Sequence, residues 1–210
     1  MGIFYTKKGD KGYSYVGKKE VYKLNPFVVA LGELDQLNSL IGVVKSLEIP
    51  PFLKNSLHQI QENLFIIQAN VAYAMLKEKR TPPSRGRSPL RRGEGPPHFS
   101  SKKTKNAEDI IDRIEKQLKP VRKFVVSGTT PVSAWLDYLR AFSRSVERSV
   151  LAVVKGKRSP SVRLPGRAGG ASKPVINPDI LPYLNRLSSL FFALARWEAR
   201  GKKEYHPNYK

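Results

Sequence analysis

Ten residues near the start of the chain, Tyr-Thr-Lys-Lys-Gly-Asp-Lys-Gly-Tyr-Ser at positions 5–14, hold the side-chain types that a polyphosphate would use. Gly9 and Gly12, on either side of Asp10, let backbone N–H groups turn inward toward an anion. Thr6 and Ser14 offer hydroxyl hydrogen bonds, and Lys7, Lys8 and Lys11 supply charge. The spacing matches neither the P-loop nor the dinucleotide-binding fingerprint. The same residues also suit a lysine-rich surface turn leading into an edge strand, and the loop alone does not choose between the two.

A second group lies far along the chain. Arg140, Arg144 and Arg148 recur every four residues. At about 100° per helical residue they fall near 0°, 40° and 80°, with Glu147 near −20°. One reading is a solvated face laced with ion pairs to Glu147 and Asp137. The other is an anion site, because the planar guanidinium fits phosphate or an interface carboxylate better than the ammonium that this chain uses freely elsewhere. Further on, Asn185-Arg186-Leu187-Ser188-Ser189 sets polar residues inside an apolar segment, which suits either an interhelical hydrogen bond or a site. Asp35, beside Gln36 and Asn38, is either an exposed carboxylate or a partner for one of the arginines.

These groups need a scaffold, and the hydrophobic periodicity supplies one. Leu31, Leu34, Leu37 and Ile41 predict a helix over 26–45, and Leu53, Leu57, Ile60, Leu64, Ile67, Val71 and Met75 predict a long core helix after it. Ile110, Ile111, Ile114 and Leu118 predict a shorter helix over 106–119, stopped by Pro120. Pro131 can start the next, with Trp135, Leu139, Phe142, Val146, Val150 and Val153 as an apolar stripe opposite the arginines, and a last helix runs from about Pro178 through Trp197. Five amphipathic helices make an all-α, five-helix bundle in a single domain over 1–210. Only residues 3–5 and 124–126 read as extended.

The formal net charge is +21. About two thirds of it sits in or beside two stretches, residues 80–103 and 156–174, rich in Pro, Gly, Ser and Arg with almost no large apolar side chains. Such composition predicts linkers or loops that pack no core. The chain has no cysteine, which excludes disulfides and thiolate metal sites, and His58, His98 and His206 lack ligand spacing. With no signal-like apolar run at the N-terminus and no segment of about 20 apolar residues, the expectation is a soluble cytoplasmic protein without membrane contact.

Taken in order, the motifs resemble the ATP:cob(I)alamin adenosyltransferases of the trimeric helix-bundle type, the family of propanediol utilisation and cobalamin salvage. The shared pieces are Tyr-Thr-x-x-Gly-Asp-x-Gly at 5–12, Val-x-Lys ending at Lys23, Gly-x-x-Asp-x-Leu-Asn-Ser at 32–39 and Ile-Gln-x-x-Leu-Phe at 60–65. They continue with Phe-x-x-x-Gly at 124–128, Leu-x-x-x-x-Arg-x-x-Glu-Arg at 139–148 and Tyr-Leu-Asn-Arg-Leu-Ser at 183–188. The resemblance implies transfer of the 5′-deoxyadenosyl group of ATP to cob(I)alamin, with triphosphate released.

It also implies roles. Thr6, Lys7, Lys8, Gly9, Asp10, Lys11, Gly12, Tyr13, Ser14 and Lys23 would cradle ATP, and Arg144, Glu147, Arg148 and Asn185 would complete the site, with Mg²⁺ on the phosphates rather than on protein side chains alone. Arg144 would stabilise charge on the leaving triphosphate. Phe124 would sit under the corrin and displace the lower cobalt ligand, giving a four-coordinate Co(II) species that can be reduced. Asp35 and Arg140 would form an ion pair across the interface of a homotrimer. A flavin reductase would supply the electron, and an adenosylcobalamin-dependent mutase would take the product.

Several positions depart from the family pattern. Ser145 replaces a second arginine, Ser189 an aspartate, Gln36 a glutamate and Lys8 a small hydroxyl residue, and the turn after Phe124 reads Val-Val-Ser-Gly-Thr instead of carrying Pro-Gly-Gly. Residues 80–103 stand where a short connection is usual. The alternative is a catalytically weak bundle of this fold that binds a polyanion such as RNA through the basic stretches, or that delivers cobalamin.

Overall fold

Asn25 starts the first helix: its side-chain oxygen accepts from Phe27 N at 2.9 Å, and Pro26 takes the first helical position, where a missing N–H costs no bond. The computed structural model describes residues 5, 7–17, 19–77, 95–120, 123–156 and 176–209. It has five helices, as the periodicity predicts: α1 (Pro26–Lys45), α2 (Pro51–Lys77), α3 (Lys102–Glu115), α4 (Pro131–Val154) and α5 (Ile180–Glu198). At the start of α4, Thr130 Oγ1 accepts from Ser133 N at 3.0 Å and Ser133 Oγ accepts from Thr130 N at 2.9 Å, which closes a reciprocal cap.

α4 packs against both α5 and α1, while α3 lies on α5 and α2 on α1. All five share one core, with Leu37 and Ile41, Leu57 and Leu64, Ile114, Leu139 and Val146, and Leu187 and Phe191 buried together. Each such side chain contributes about 1.5–3 kcal/mol on burial, so packing rather than helix propensity holds the bundle. α1 is 20 residues long and apolar enough by composition to cross a membrane, contrary to the expectation that no segment reaches that length. In the fold it is a core helix, burying Ala30, Leu34, Leu37, Ile41 and Val44 while Asp35 and Gln36 face solvent.

Other expectations need correction. The extended chain is not at 124–126, which is irregular, and residues 3 and 4 lie outside the described residues. It is an antiparallel hairpin, β1 (Tyr13–Val16) and β2 (Lys19–Tyr22), with Tyr13 opposite Tyr22 and Val16 opposite Lys19. Of its strand residues only Val21 is buried, and Lys19 Nζ donates to the Met75 carbonyl at 2.9 Å, tying the hairpin to the end of α2. Trp135, placed in the core stripe of α4, is 37% exposed. α3 begins four residues early and ends at Glu115, leaving Leu118 beyond it.

Of the two basic stretches, residues 80–94 and 157–174 lie outside the described residues. Residues 95–103 do pack, against expectation: Phe99 is fully buried against Tyr183, with ring centroids 5.3 Å apart. Asn70 Nδ2 donates to the Pro97 carbonyl at 3.0 Å and Asn177 Nδ2 to the Phe99 carbonyl at 2.7 Å. Phe99 and hydrogen bonds to the Pro97 and Phe99 carbonyls seat the segment.

Asp137 does not serve the arginines of its own helix. Its carboxylate accepts from Arg196 Nη2 of α5 at 2.7 Å, with the two side chains 6% and 3% exposed, and Arg196 Nη1 donates to Glu204 at 2.9 Å. Removing one partner of a buried pair strands the other charge and costs about 3–5 kcal/mol. Asp137→Ala is therefore expected to lower the thermal midpoint by roughly 6–20 °C in a calorimetric scan. A shift under about 2 °C would show that Glu204 alone satisfies the guanidinium.

Candidate active site

The N-terminal loop is folded back on itself. Lys7 adopts a left-handed backbone (φ 58°), Asp10 N donates to the Lys7 carbonyl at 3.4 Å, and Gly12 N donates to the Gly9 carbonyl at 3.3 Å. Gly12 itself has φ 82°, a conformation costly for a residue with a Cβ. Lys23 closes the loop from the far side of the hairpin: its N donates to the Gly12 carbonyl and its Nζ to the Gly9 carbonyl, both at 2.9 Å. A Cβ on Gly9 would stand 3.4 Å from that Nζ and 3.5 Å from the Tyr13 carbonyl, so glycine permits the close approach.

Lys8 lies 5.5 Å from the centre of the Tyr15 ring and Lys7 5.7 Å from that of Tyr5, so the aromatic rings carry the lysine stems without neutralising them. Tyr15 OH donates to Glu20 at 2.6 Å, a bond that pushes its ionisation above the usual value and keeps the hydroxyl neutral. Lys7, Lys8, Lys11, Tyr13 and Lys23 are exposed, Ser14 is half-buried, and Thr6 lies outside the described residues. The structure thus joins the loop to Lys23, the pairing that the two separate sequence motifs imply.

The second half of the candidate site is on α4 and α5. Asn185 Nδ2 donates to Glu147 Oε1 at 2.9 Å, which ties the two helices at the point where the arginine face begins. Arg144 and Arg148 are exposed and Arg140 half-buried; among the described residues none has an ion-pair partner. The ion pairs expected of a solvated face are not formed among the described residues: Glu147 accepts from Asn185, and Asp137 pairs with Arg196. Asp35 is exposed and unpaired with Arg140 within this chain. Ser145 is half-buried and Ser189 exposed, on the same stretches.

Phe124 is 78% exposed, in the irregular segment before α4. Its carbonyl accepts from His206 Nδ1 at 2.9 Å, and Val126 N donates to the Tyr205 carbonyl at 2.8 Å. The sequence reading missed this contact with the C-terminal segment, and it missed Arg196, although a single arginine in Leu-Phe-Phe-Ala-Leu-Ala-Arg-Trp signals a buried partner. It also missed an apolar hollow of about 380 Å³ between α1 and α4, lined by Leu40, Ala134, Trp135 and Tyr138.

The arrangement can bind and polarise a polyphosphate with lysine, arginine and backbone N–H groups. Among the described residues no cluster of three or more His, Cys, Asp or Glu side chains is placed to hold a metal ion. A divalent cation would then take most of its oxygen ligands from the phosphates themselves.

Comparison with known proteins gives a consistent result. Residues 4–198 match the family model described as "Cobalamin adenosyltransferase". The chain is 30% identical over 195 residues to the corrinoid adenosyltransferase of Mycobacterium leprae, covering 91% of this chain and 88% of that one. It is 28% identical over 199 residues to that of Citrobacter freundii, covering 94% and 96%. Against the corrinoid adenosyltransferase PduO of Salmonella typhimurium, 26% identical over 196 residues, this chain spans 49% of the relative's length. Among solved structures, a variant PduO-type ATP:corrinoid adenosyltransferase from Lactobacillus reuteri complexed with cobalamin and ATP superposes with TM-score 0.73 at 29% identity, covering 98% of this chain and 97% of that one. A second variant of that enzyme, complexed with ATP, gives TM-score 0.71.

Lys23 tests the loop directly. Charge-assisted hydrogen bonds are worth about 1.5–3 kcal/mol, so Lys23→Ala should weaken ATP binding by roughly 10- to 100-fold in isothermal titration while leaving helicity unchanged. Wild-type affinity would remove Lys23 from the cradle.

Proposed function

Because the chain belongs to the cobalamin adenosyltransferase family, we propose that it transfers the 5′-deoxyadenosyl group of ATP to cob(I)alamin, forming adenosylcobalamin and releasing triphosphate. The observation that carries the reading is the unneutralised Arg144–Arg148 face beside the Glu147–Asn185 bond, on a fold shared with enzymes complexed with cobalamin and ATP. In the reaction the Co(I) electron pair attacks C5′ and the C5′–O bond breaks. The leaving triphosphate takes that bond's electrons, so no general base is needed.

The chain's task is to bind, orient and exclude water. Lys7, Lys8, Lys11 and Lys23 hold the phosphates at the loop, with the Ser14 and Thr6 hydroxyls as further donors. Arg144 and Arg148 meet the charge that grows on the leaving group, and Asn185, oriented by Glu147, fixes the nucleotide against α4 and α5. Mg²⁺, when bound with ATP, offsets part of the phosphate charge. Phe124 presents its ring to the corrin and leaves no room for the lower cobalt ligand. Its high exposure supports a ring available to a substrate.

The reading includes a homotrimer with each ATP between neighbours. Three features support it: Asp35 and Arg140 have no ion-pair partner among the described residues, both lie on the helices that flank the apolar hollow, and Trp135 and Tyr138 stay exposed there. It also places the reaction in the cytoplasm, downstream of an electron donor of the flavin-reductase class and upstream of an adenosylcobalamin-dependent mutase.

Chemically reduced cobalamin and Mg-ATP, mixed anaerobically with the protein, should give adenosylcobalamin and triphosphate in equal amounts, and Arg144→Ala should lower kcat by about 10²–10³ with the oligomer intact. Product without triphosphate, or no product from folded protein, would sink the reading. For the interface, Asp35→Arg is expected to shift the protein toward monomer in analytical ultracentrifugation, and adding Arg140→Asp to restore the larger species. An assembly unaffected by Asp35→Arg rules the pair out as an intersubunit contact.

A further inference from the structure

The eight residues from 123 to 130 that carry Phe124 into α4 form neither helix nor strand, and most are exposed. Little buried apolar surface holds them: Phe124 is 78% and Val126 47% exposed. A loop of this kind has no packing reason to keep one geometry, yet it is tied at three points to the end of α5 and the segment that follows, twice through its backbone. Thr130 Oγ1 donates to Glu198, Val126 N donates to the Tyr205 carbonyl at 2.8 Å, and His206 Nδ1 donates to the Phe124 carbonyl at 2.9 Å.

The C-terminal segment is itself anchored. Gly201, at φ 76°, turns the chain back after α5, and Lys202 N donates to the Ala199 carbonyl at 3.0 Å. Two residues later Glu204 binds Arg196 Nη1 at 2.9 Å, and Arg196 in turn is fixed in the core by Asp137 of α4 at 2.7 Å. A continuous series of charged and backbone hydrogen bonds thus runs from the middle of the bundle to the carbonyl of Phe124. Parting a buried ion pair leaves both charges uncompensated away from water, so Arg196 gives the segment a fixed point of attachment.

We propose that residues 201–206 form a strap that positions Phe124 for the corrin, with Glu204 and His206 as positioning residues acting through the Phe124 backbone. This rests on the role given to Phe124 under the proposed function. The strap determines how the ring meets the corrin face; it takes no part in holding ATP, whose proposed ligands lie on the N-terminal loop, α4 and α5.

The test uses the 210-residue chain with His206→Ala, His206→Asn and Phe124→Ala, and a form lacking residues 203–210. Each is assayed for KM toward cob(II)alamin under reducing conditions, KM toward ATP, and the electron paramagnetic resonance signal of four-coordinate Co(II). A single neutral hydrogen bond predicts a three- to tenfold rise in corrin KM for His206→Ala, a weaker four-coordinate signal and an unchanged ATP KM. His206→Asn, whose amide nitrogen can reach near the place of Nδ1, should restore the signal, and the shortened chain should approach Phe124→Ala. Wild-type behaviour of the His206 and shortened variants beside an impaired Phe124→Ala would overturn the strap alone. A wild-type Phe124→Ala would overturn the role of Phe124 and the strap with it. ATP KM rising in step with corrin KM would also overturn it, since that marks general loss of structure.

Discussion

The structure depends on α4 being two things at once. Its inward stripe, with Leu139, Val146 and Val150 fully buried, must pack against both α1 and α5, and its outward stripe must then carry Arg140, Arg144 and Arg148. Helical geometry allows both because the two stripes are separated by most of half a turn. Any change that rotated α4 to relieve the arginines would pull aliphatic side chains out of the core. Burying several such side chains at about 1.5–3 kcal/mol each easily outweighs the repulsion of exposed charges, which water and salt screen. The positive face is thus held in place by apolar packing on the other side of the same helix.

That the face stays unneutralised follows from where the acids are used. Asp137 is turned into the core to meet Arg196, Glu33 accepts from Ser149 at 2.7 Å between α1 and α4, and Glu147 orients Asn185. Each of the three carboxylates links helices, which leaves the guanidinium groups of 144 and 148 for a ligand. A site built this way is preorganised for a polyanion, since the cost of gathering like charges is met during folding and is not charged against binding.

The five helices were legible because 3.6-residue periodicity is a strong signal over 14 to 27 residues. The loop, Lys23, the α4 face and Asn185 were legible as motifs, and the structure joins them in two pairs, Gly9 with Lys23 and Glu147 with Asn185. What was missed has physical reasons. The hairpin strands do alternate in exposure, but Ser14 and Lys19 take less exposed positions while Tyr13, Tyr15 and Tyr22 are exposed, so hydropathy does not follow the pleat. Trp135 reads as core from spacing, yet near the start of α4 the buried side chains are Ser133, Leu136 and Asp137, and Trp135 lies off the face they form. Phe99 was hidden in a polar, basic stretch whose composition says linker. Arg196 was passed over because an isolated charge in an apolar helix is informative only once Asp137, 59 residues away, is known to face it.

The hairpin also sets how the molecule breathes. Its hold on the bundle includes buried Val21, half-buried Val16 packed against the core, and Lys19 on the last turn of α2, while the helices are joined through a common interior. Elements with few buried contacts open at much lower free energy than the global unfolding, as amide exchange reveals in many proteins. The loop proposed to hold the nucleotide therefore belongs to a weakly protected part of the fold. Ligand bound there draws the open states closed by mass action, so occupancy of the site would register as slower exchange at Gly12, Tyr13 and Lys23 long before it altered the melting of the helices.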